Sequence, residues 1–256
     1  MILAEGAAIG MLVGLVVGAL GGGGAIITVP VLVYVLGMDA HQATTGSLVI
    51  VALSAVIAAA GHHRQQHVEW RTGFVFGALG FVGTLVGSRL SVLVPGDRLL
   101  VAFAVLLGVV AAVMLRNSSR PPLHSPDGEH RAHPWVVAAA ATGVGLLTGF
   151  FGVGGGFVIV PALVLVLRLP MATAVGTSLL VVTLNSAVAL ASRLHNGVTL
   201  NWPVVLAFAG GAMLTAAVGS HISGKLPAVV LQRTFAGLLI AVALYTFARS
   251  ITGAGI

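Results

Sequence analysis

The chain has 256 residues, of which 58% are hydrophobic and 7% charged, with a mean hydropathy of +1.09 and a formal net charge of +6. Such a composition lies outside the soluble range and specifies a polytopic membrane protein, and because the basic residues are scattered singly between apolar segments, the charge marks topology and excludes a nucleic-acid partner. There is no cysteine, which removes disulfides, thiolate metal sites and cysteine nucleophiles.

Backbone polar groups in a bilayer must be satisfied within helices or a closed barrel, and the long Leu/Val/Ala runs lack a barrel's two-residue alternation. An all-α membrane fold is predicted. The amino terminus carries Glu5 and no basic run, so Leu3–Leu20 reads as a retained span rather than a signal peptide. The first hydrophobic segment, 6–36, is interrupted by Gly21–Gly24. A straight helix of roughly 31 residues would be about 46 Å long against a hydrocarbon core of about 30 Å, while limbs of roughly 15 and 12 residues reach only about 22 and 18 Å. Either a re-entrant hairpin turning near the midplane or a tilted span that unwinds there fits these lengths. Continuous apolar spans follow at 43–60, 70–88 and 98–115.

A hydrophilic linker at 117–134, rich in Pro and Ser and holding His124, His130 and His133, separates the first membrane repeat, 1–116, from a second, 135–256. The second opens on another interrupted segment, 135–167, broken at Gly152–Gly156, and continues with spans at 173–192, 202–220 and 228–248. At a shift of 131 residues Pro30 matches Pro161, Ala43 matches Ala174 and Ser47-Leu48 match Ser178-Leu179. After one extra residue Trp70 matches Trp202, Gly87-Ser88 match Gly219-Ser220 and Phe103 matches Phe235. Each repeat thus has four segments, the first a glycine-broken, re-entrant or unwound helix. If each broken segment is a hairpin, the second repeat is inverted and Lys/Arg divide 8 against 4 between the two sides; if it is one crossing, the repeats run parallel and the division is 7 against 5. The inverted arrangement uses the charges better, placing the linker in the cytoplasm and both termini outside.

A helix that starts inside the bilayer presents unpaired N–H groups and the positive end of its dipole, and glycines let a ligand approach that backbone. Such breaks attract anions. The expected binding set is Gly22, Gly23 and Gly24 with Thr45, Ser47 and Ser54 in the first repeat, and Gly154, Gly155 and Gly156 with Thr177, Ser178 and Asn185 in the second. Ser47/Ser54 and Ser178/Asn185 are matched pairs seven residues apart, so each pair shares one side of a helix.

The paired motifs Gly18-Ala-Leu-Gly-Gly-Gly-Gly…Val29-Pro30 and Gly149-Phe-Phe-Gly-Val-Gly-Gly-Gly…Val160-Pro161, the following A-x-x-x-S-L stretches, and His63…Trp70 with His195…Trp202 resemble the sulfite exporter TauE/SafE family of membrane transporters. The resemblance implies a secondary transporter for small sulfur-containing anions such as sulfite, sulfonates or sulfoacetate, in the cell inner membrane. The first copy departs from the second at Gly22, Ala25 and Ser54, so the half-sites are not expected to be equivalent.

His62, His63 and His67, read as one loop, together with the linker histidines, raise a metal-cation transporter as the alternative, but their spacing fits no ligand motif and no metal site is assigned. All six acids fall in termini, span edges or the linker, which argues against a buried carboxylate relay or an acidic cation site. No G-x-S-x-G or H-E-x-x-H occurs, so an enzyme is not expected. The expected function is alternating-access transport of a small anion without a cofactor; the partners are that anion and the lipid bilayer, with homo-oligomerisation left open.

Overall fold

The structure is a computed structural model that describes residues 2–21, 24–118, 133–152, 155–195 and 198–251. Among these residues there are ten helices and no strand. They are α1 (Ile2–Leu20), α2 (Gly24–Tyr34), α3 (Ala40–Arg64), α4 (Trp70–Val92), α5 (Gly96–Ser118), α6 (Pro134–Phe151), α7 (Gly156–Leu165), α8 (Met171–His195), α9 (Trp202–Ser223) and α10 (Ala228–Ile251). Seven of them, α3, α4, α5, α6, α8, α9 and α10, are long and apolar enough to cross a membrane. The Asp39 carboxylate caps α3 by accepting from His41 N at 2.8 Å and Gln42 N at 3.3 Å. Pro134 opens α6 at a position where a missing N–H costs nothing, and Gly152, with φ 64°, ends it in the left-handed conformation.

Two spans run past their apolar cores. The expectations of 43–60 and 173–192 become Ala40–Arg64 and Met171–His195, so His62 and His63 belong to a helix rather than to the loop assigned from sequence. The reason is local: His62 is fully buried, and its Nε2 donates to Gly18 O at 3.0 Å, which anchors the last turn of α3 on the end of α1. The limbs before the glycines are also longer than their apolar runs suggested. At 19 and 18 residues, α1 and α6 reach about 28 and 27 Å, close to a full crossing.

Glycine decides how these helices meet. A Cβ on Gly10, Gly14 or Gly18 of α1 would strike the backbone carbonyl of Phe208, Ala212 or Ala216 in α9. Likewise, one on Gly145 or Gly149 of α6 would strike that of Gly80 or Thr84 in α4. Within lipid there is no hydrophobic force between helices, and close backbone contact of this kind is what holds them. The rising register makes α1 parallel to α9 and α6 parallel to α4. Gly46 against Val205 and Gly61 against Ser220 make α3 parallel to α9; Gly73 against Leu180 and Gly77 against Leu184 make α4 parallel to α8. By contrast α3 and α8 are antiparallel, since Thr44 near the start of α3 meets Arg193 near the end of α8 while Gly176 packs on His62. α2 folds back along α1, because a Cβ on Gly24 would lie 2.7 Å from Val17 N and 2.8 Å from Val13 O. α5 and α10 pack on each other. Large apolar side chains such as Leu12, Val82, Leu214 and Leu244 stay exposed on the outside, as a lipid-facing surface requires.

Gly14→Ala is therefore expected to overpack the α1–α9 seam and destabilise the protein by about 1–3 kcal/mol. Gly108→Ala and Gly237→Ala, whose Cβ positions meet nothing within 4 Å, should be neutral or slightly stabilising. Thermal unfolding of the three variants in detergent separates these outcomes.

Candidate functional site: a buried guanidinium at the end of α6

Among the described residues Arg193 is the largest fully buried side chain, with 1% of its surface exposed. It lies in the last turn of α8, where four helix ends converge. Its Nη1 donates to Thr44 Oγ1 at 2.7 Å and Thr45 Oγ1 at 3.2 Å, both in the first turns of α3. Nη2 donates to Ser91 Oγ at 2.9 Å in the last turn of α4, and to Gly149 O at 2.9 Å and Phe150 O at 3.1 Å in the last turn of α6. All five acceptors are neutral oxygens, and Nε has no partner. The last carbonyls of a helix lack intrahelical donors and carry the negative end of its dipole, so the end of α6 supplies partial counter-charge but no full negative charge. An arginine so placed carries an electrostatic surplus inside an apolar body.

The turn after α6 is built around it. Ser47 Oγ donates to Thr44 O and to Gly152 O, tying α3 to the turn. A Cβ on Gly152 would lie 2.7 Å from Thr44 O and 2.9 Å from Arg193 Cζ, so any side chain there would press on the guanidinium. Gly155, with φ 69°, is the N-cap of α7, and a Cβ on it would collide with Thr148 Oγ1. Phe103 of α5 wedges between Phe151 and Phe157, with ring centroids 5.7 and 5.6 Å away, and walls the turn on one side.

The expected binding residues do not form one cluster. Thr45, Ser47, Gly155 and Gly156 gather at the Arg193 end of the α3–α8 pair. Gly24, Thr177 and Ser178 lie at the opposite end, where Ser178 Oγ donates to Val175 O beside Gly21 and Thr177 Oγ1 accepts from Glu69 N at 3.0 Å, so Thr177 holds the α3–α4 loop. Ser54 and Asn185 sit halfway along; the Ser54 hydroxyl turns back on its own helix to Ile50 O, while the Asn185 amide has no partner at either atom. Gly22, Gly23 and Gly154 lie outside the described residues. Ser47 and His62 mark the two ends, fifteen residues and about 22 Å apart along α3, so the two glycine turns are on opposite sides of the helix pair and do not meet near its middle. The expectation that each segment turns or unwinds near the midplane is corrected accordingly: α1 and α6 each run nearly the full length of their partners before they turn.

Arg193 was read from sequence as a topology charge. The signal was present in the repeat, because a shift of 131 pairs it with His62, and both reach the carbonyl of a matched glycine, Gly149 and Gly18. Among the described residues no group of three His, Asp or Glu side chains is placed to hold a metal ion.

The sequence profile described as Sulfite exporter TauE/SafE matches residues 6–246. This chain belongs to that family. It is 35% identical over 248 residues to a probable membrane transporter protein of Xylella fastidiosa strain Temecula1, spanning 94% of this chain and 93% of that one. A probable membrane transporter protein of strain 9a5c of the same species is 36% identical over 245 residues, with the same coverage. The probable membrane transporter protein YunE of Bacillus subtilis is 27% identical over 239 residues, covering 85% and 87% of the two chains. No solved structure matches this TauE/SafE chain. It is a multi-pass membrane transporter.

Ser91→Ala removes one acceptor from a charged donor and leaves Arg193 less satisfied in a dry site. The expected cost is about 1.5–3 kcal/mol, read as a lowered unfolding temperature in detergent. An unchanged Tm would show that the Ser91 contact contributes nothing net.

Proposed function

We propose that the chain is a secondary transporter of small anions, sulfur-containing ones such as sulfite, sulfonates or sulfoacetate-like ions, that works by alternating access. The observation that carries this reading is Arg193, a buried guanidinium held only by neutral oxygens, with Nε unpaired, against Gly152 at the end of α6 where the chain turns toward α7. An anion entering there meets a full positive charge, the positive end of a helix dipole and the hydroxyls of Thr44, Thr45 and Ser47. The family description names sulfite, which fits a site that favours oxyanions. Binding residues are proposed as Thr45, Ser47, Gly154, Gly155 and Gly156 around Arg193; Gly22, Gly23, Gly24, Thr177 and Ser178 at the other end; and Ser54 and Asn185 between.

In this reading the two halves, 1–116 and 135–256 joined by 117–134, are inverted repeats. Contacts support it: α1 with α9 mirrors α6 with α4, α3 with α9 mirrors α8 with α4, and the pairs α3–α8 and α5–α10 map onto themselves. The helix directions agree, since α1 and α3 run together while α6 and α8 run the other way. The charge rule is sharpened too, because Arg193 is buried and does not count as a loop charge, leaving eight Lys/Arg on the linker side against three. With the linker in the cytoplasm of a bacterial inner membrane, export of an anion gains about 2.3 kcal/mol per charge per 100 mV, so the potential alone can drive it.

Counterflow in proteoliposomes, with labelled sulfite and with 2-hydroxyethanesulfonate, tests the reading. Arg193→Gln should lower flux on the order of 10- to 100-fold, the loss of a charged hydrogen bond, while Arg193→Lys keeps part of it. Wild-type flux by a folded Arg193→Gln protein refutes the role of Arg193. Ser178→Ala and Asn185→Ala should each weaken anion affinity several-fold, a contact of about 1 kcal/mol. A Gly154→Val/Gly155→Val protein that inserts should not transport. Reporter fusions after Ile256 and within 117–134 should report opposite sides of the membrane; matching sides overturn the inversion.

A further inference from the structure

The seam between α4 and α8 carries more polar groups than its packing needs. From the middle of α8 to its end, Asn185 and Arg193 are two turns apart on one face, about 12 Å along the axis. Opposite them on α4 run Gly80, Thr84, Ser88 and Ser91, spaced at helical turns. Register is fixed by contacts. A Cβ on Gly80 would lie 3.4 Å from both the Nδ2 and Oδ1 of Asn185, Ser88 Oγ donates to Ala189 O at 3.3 Å, and Ser91 accepts from Arg193. Thr84 lies one turn beyond Gly80 and one turn before Ser88.

These groups are fully buried yet not fully used. Both amide atoms of Asn185 and the hydroxyl of Thr84 have no partner, and neither does Arg193 Nε. Each unmade hydrogen bond at a buried site costs roughly 1–3 kcal/mol, so several of them in one seam are expensive unless something occupies the seam in another state. The matching seam on the other half, α3 against α9, is different. Where α4 has Gly80 and Thr84, α9 has Ala212 and Ala216, and where α8 has Asn185, α3 has Ser54 with its hydroxyl closed on Ile50 O. Of the two equivalent seams, one is polar to its middle and one is not.

We infer that the α4–α8 seam is the path by which the anion travels between the Arg193 end and the middle of the protein, with Arg193 at its mouth and Asn185 and Thr84 as its inner binding station. This rests on the anion-transport reading. Asn185 Nδ2 and the Thr84 hydroxyl are donors to anion oxygens, and Ser88 stands between them and the guanidinium. Each step along the file exchanges one set of donors for the next within a turn of helix.

The chain has no cysteine, so it is already a background for single-cysteine labelling. In native membranes, Thr84→Cys and Ser88→Cys are treated with impermeant methanethiosulfonates, an anionic ethylsulfonate and a cationic ethyltrimethylammonium. Val82→Cys and Val86→Cys, on the exposed outer side of the same helix, are controls. Because a thiol reacts as its thiolate and so needs water, both seam cysteines should label at least about tenfold faster than the controls. The anionic reagent should outpace the cationic one, and 2-hydroxyethanesulfonate should slow it. Adding Arg193→Gln should remove the charge preference, and adding Arg193→Lys should keep it. Equal labelling of seam and control positions, no labelling of the seam in protein that transports, or labelling without charge preference overturns the inference. The readout does not depend on flux. Charge-selective labelling in a protein that moves none of the anions offered would leave the path standing and sink the transport reading alone.

Discussion

Backbone-to-backbone contact along two glycine seams is the constraint on which the arrangement depends. Where α1 meets α9 and α6 meets α4, glycine carbons lie against carbonyl oxygens with no room for a methyl group. In water such seams would be one packing choice among several, but in lipid, where side-chain burial between helices gains little, they fix which helices are neighbours, in which register and in which direction. Because α1 and α6 are each held along their whole length, their ends are carried to the far ends of α9 and α4. There the chain must reverse, and Gly21 and Gly152, with φ of 70° and 64°, take the left-handed conformation that lets it.

That reversal creates the chemistry. A helix that stops leaves carbonyls without donors, and at the end of α6 those of Gly149 and Phe150 find the guanidinium of Arg193. Oriented peptide dipoles hold the cation without neutralising it. A carboxylate partner would have made a closed ion pair, satisfied and inert. The neutral shell of hydroxyls and carbonyls keeps the side chain buried with its charge unneutralised, and on the proposed reading that charge is what draws the anion without trapping it.

Much of this was legible in the sequence, for physical reasons. The apolar runs gave the spans because the bilayer imposes their length, although Ala40–Arg64 and Met171–His195 ran beyond their apolar cores since His62 and Arg193 at their ends are buried on carbonyl groups. Gly21–Gly24 and Gly152–Gly156 stood out because glycine clusters have few uses inside a helix. What could not be read was depth. Sequence spacing placed these glycines between two apolar limbs, and only the pairing of Gly18 with Ser220 and Gly149 with Ser88 shows that the first limb is held nearly to the end of its partner. Residue type misled in one way: a single arginine near a span end looks like any topology charge, and only its burial on Gly149 O and Phe150 O sets Arg193 apart.

Inverted repeats make opposite-facing states equivalent in geometry, but they need not make them equivalent in chemistry. On the proposed symmetry Arg193 corresponds to His62, and each reaches the glycine carbonyl that ends its neighbouring helix, Gly149 or Gly18. The mechanical role is shared and the side chain is not: a guanidinium is cationic at every physiological pH and here donates to the ends of α3, α4 and α6, whereas the imidazole reaches its carbonyl through Nε2 alone. Asn185 against Ser54 and Thr84 against Ala216 follow the same division. A duplicated chain that moved its substrate with identical half-sites would hold the anion equally well at both ends, and neither end would favour release. On the proposed reading, concentrating the donors on one side would make anion binding strong where Arg193 stands and weak where His62 does, so that the two ends of the proposed path would differ in affinity while the helices around them remain alike.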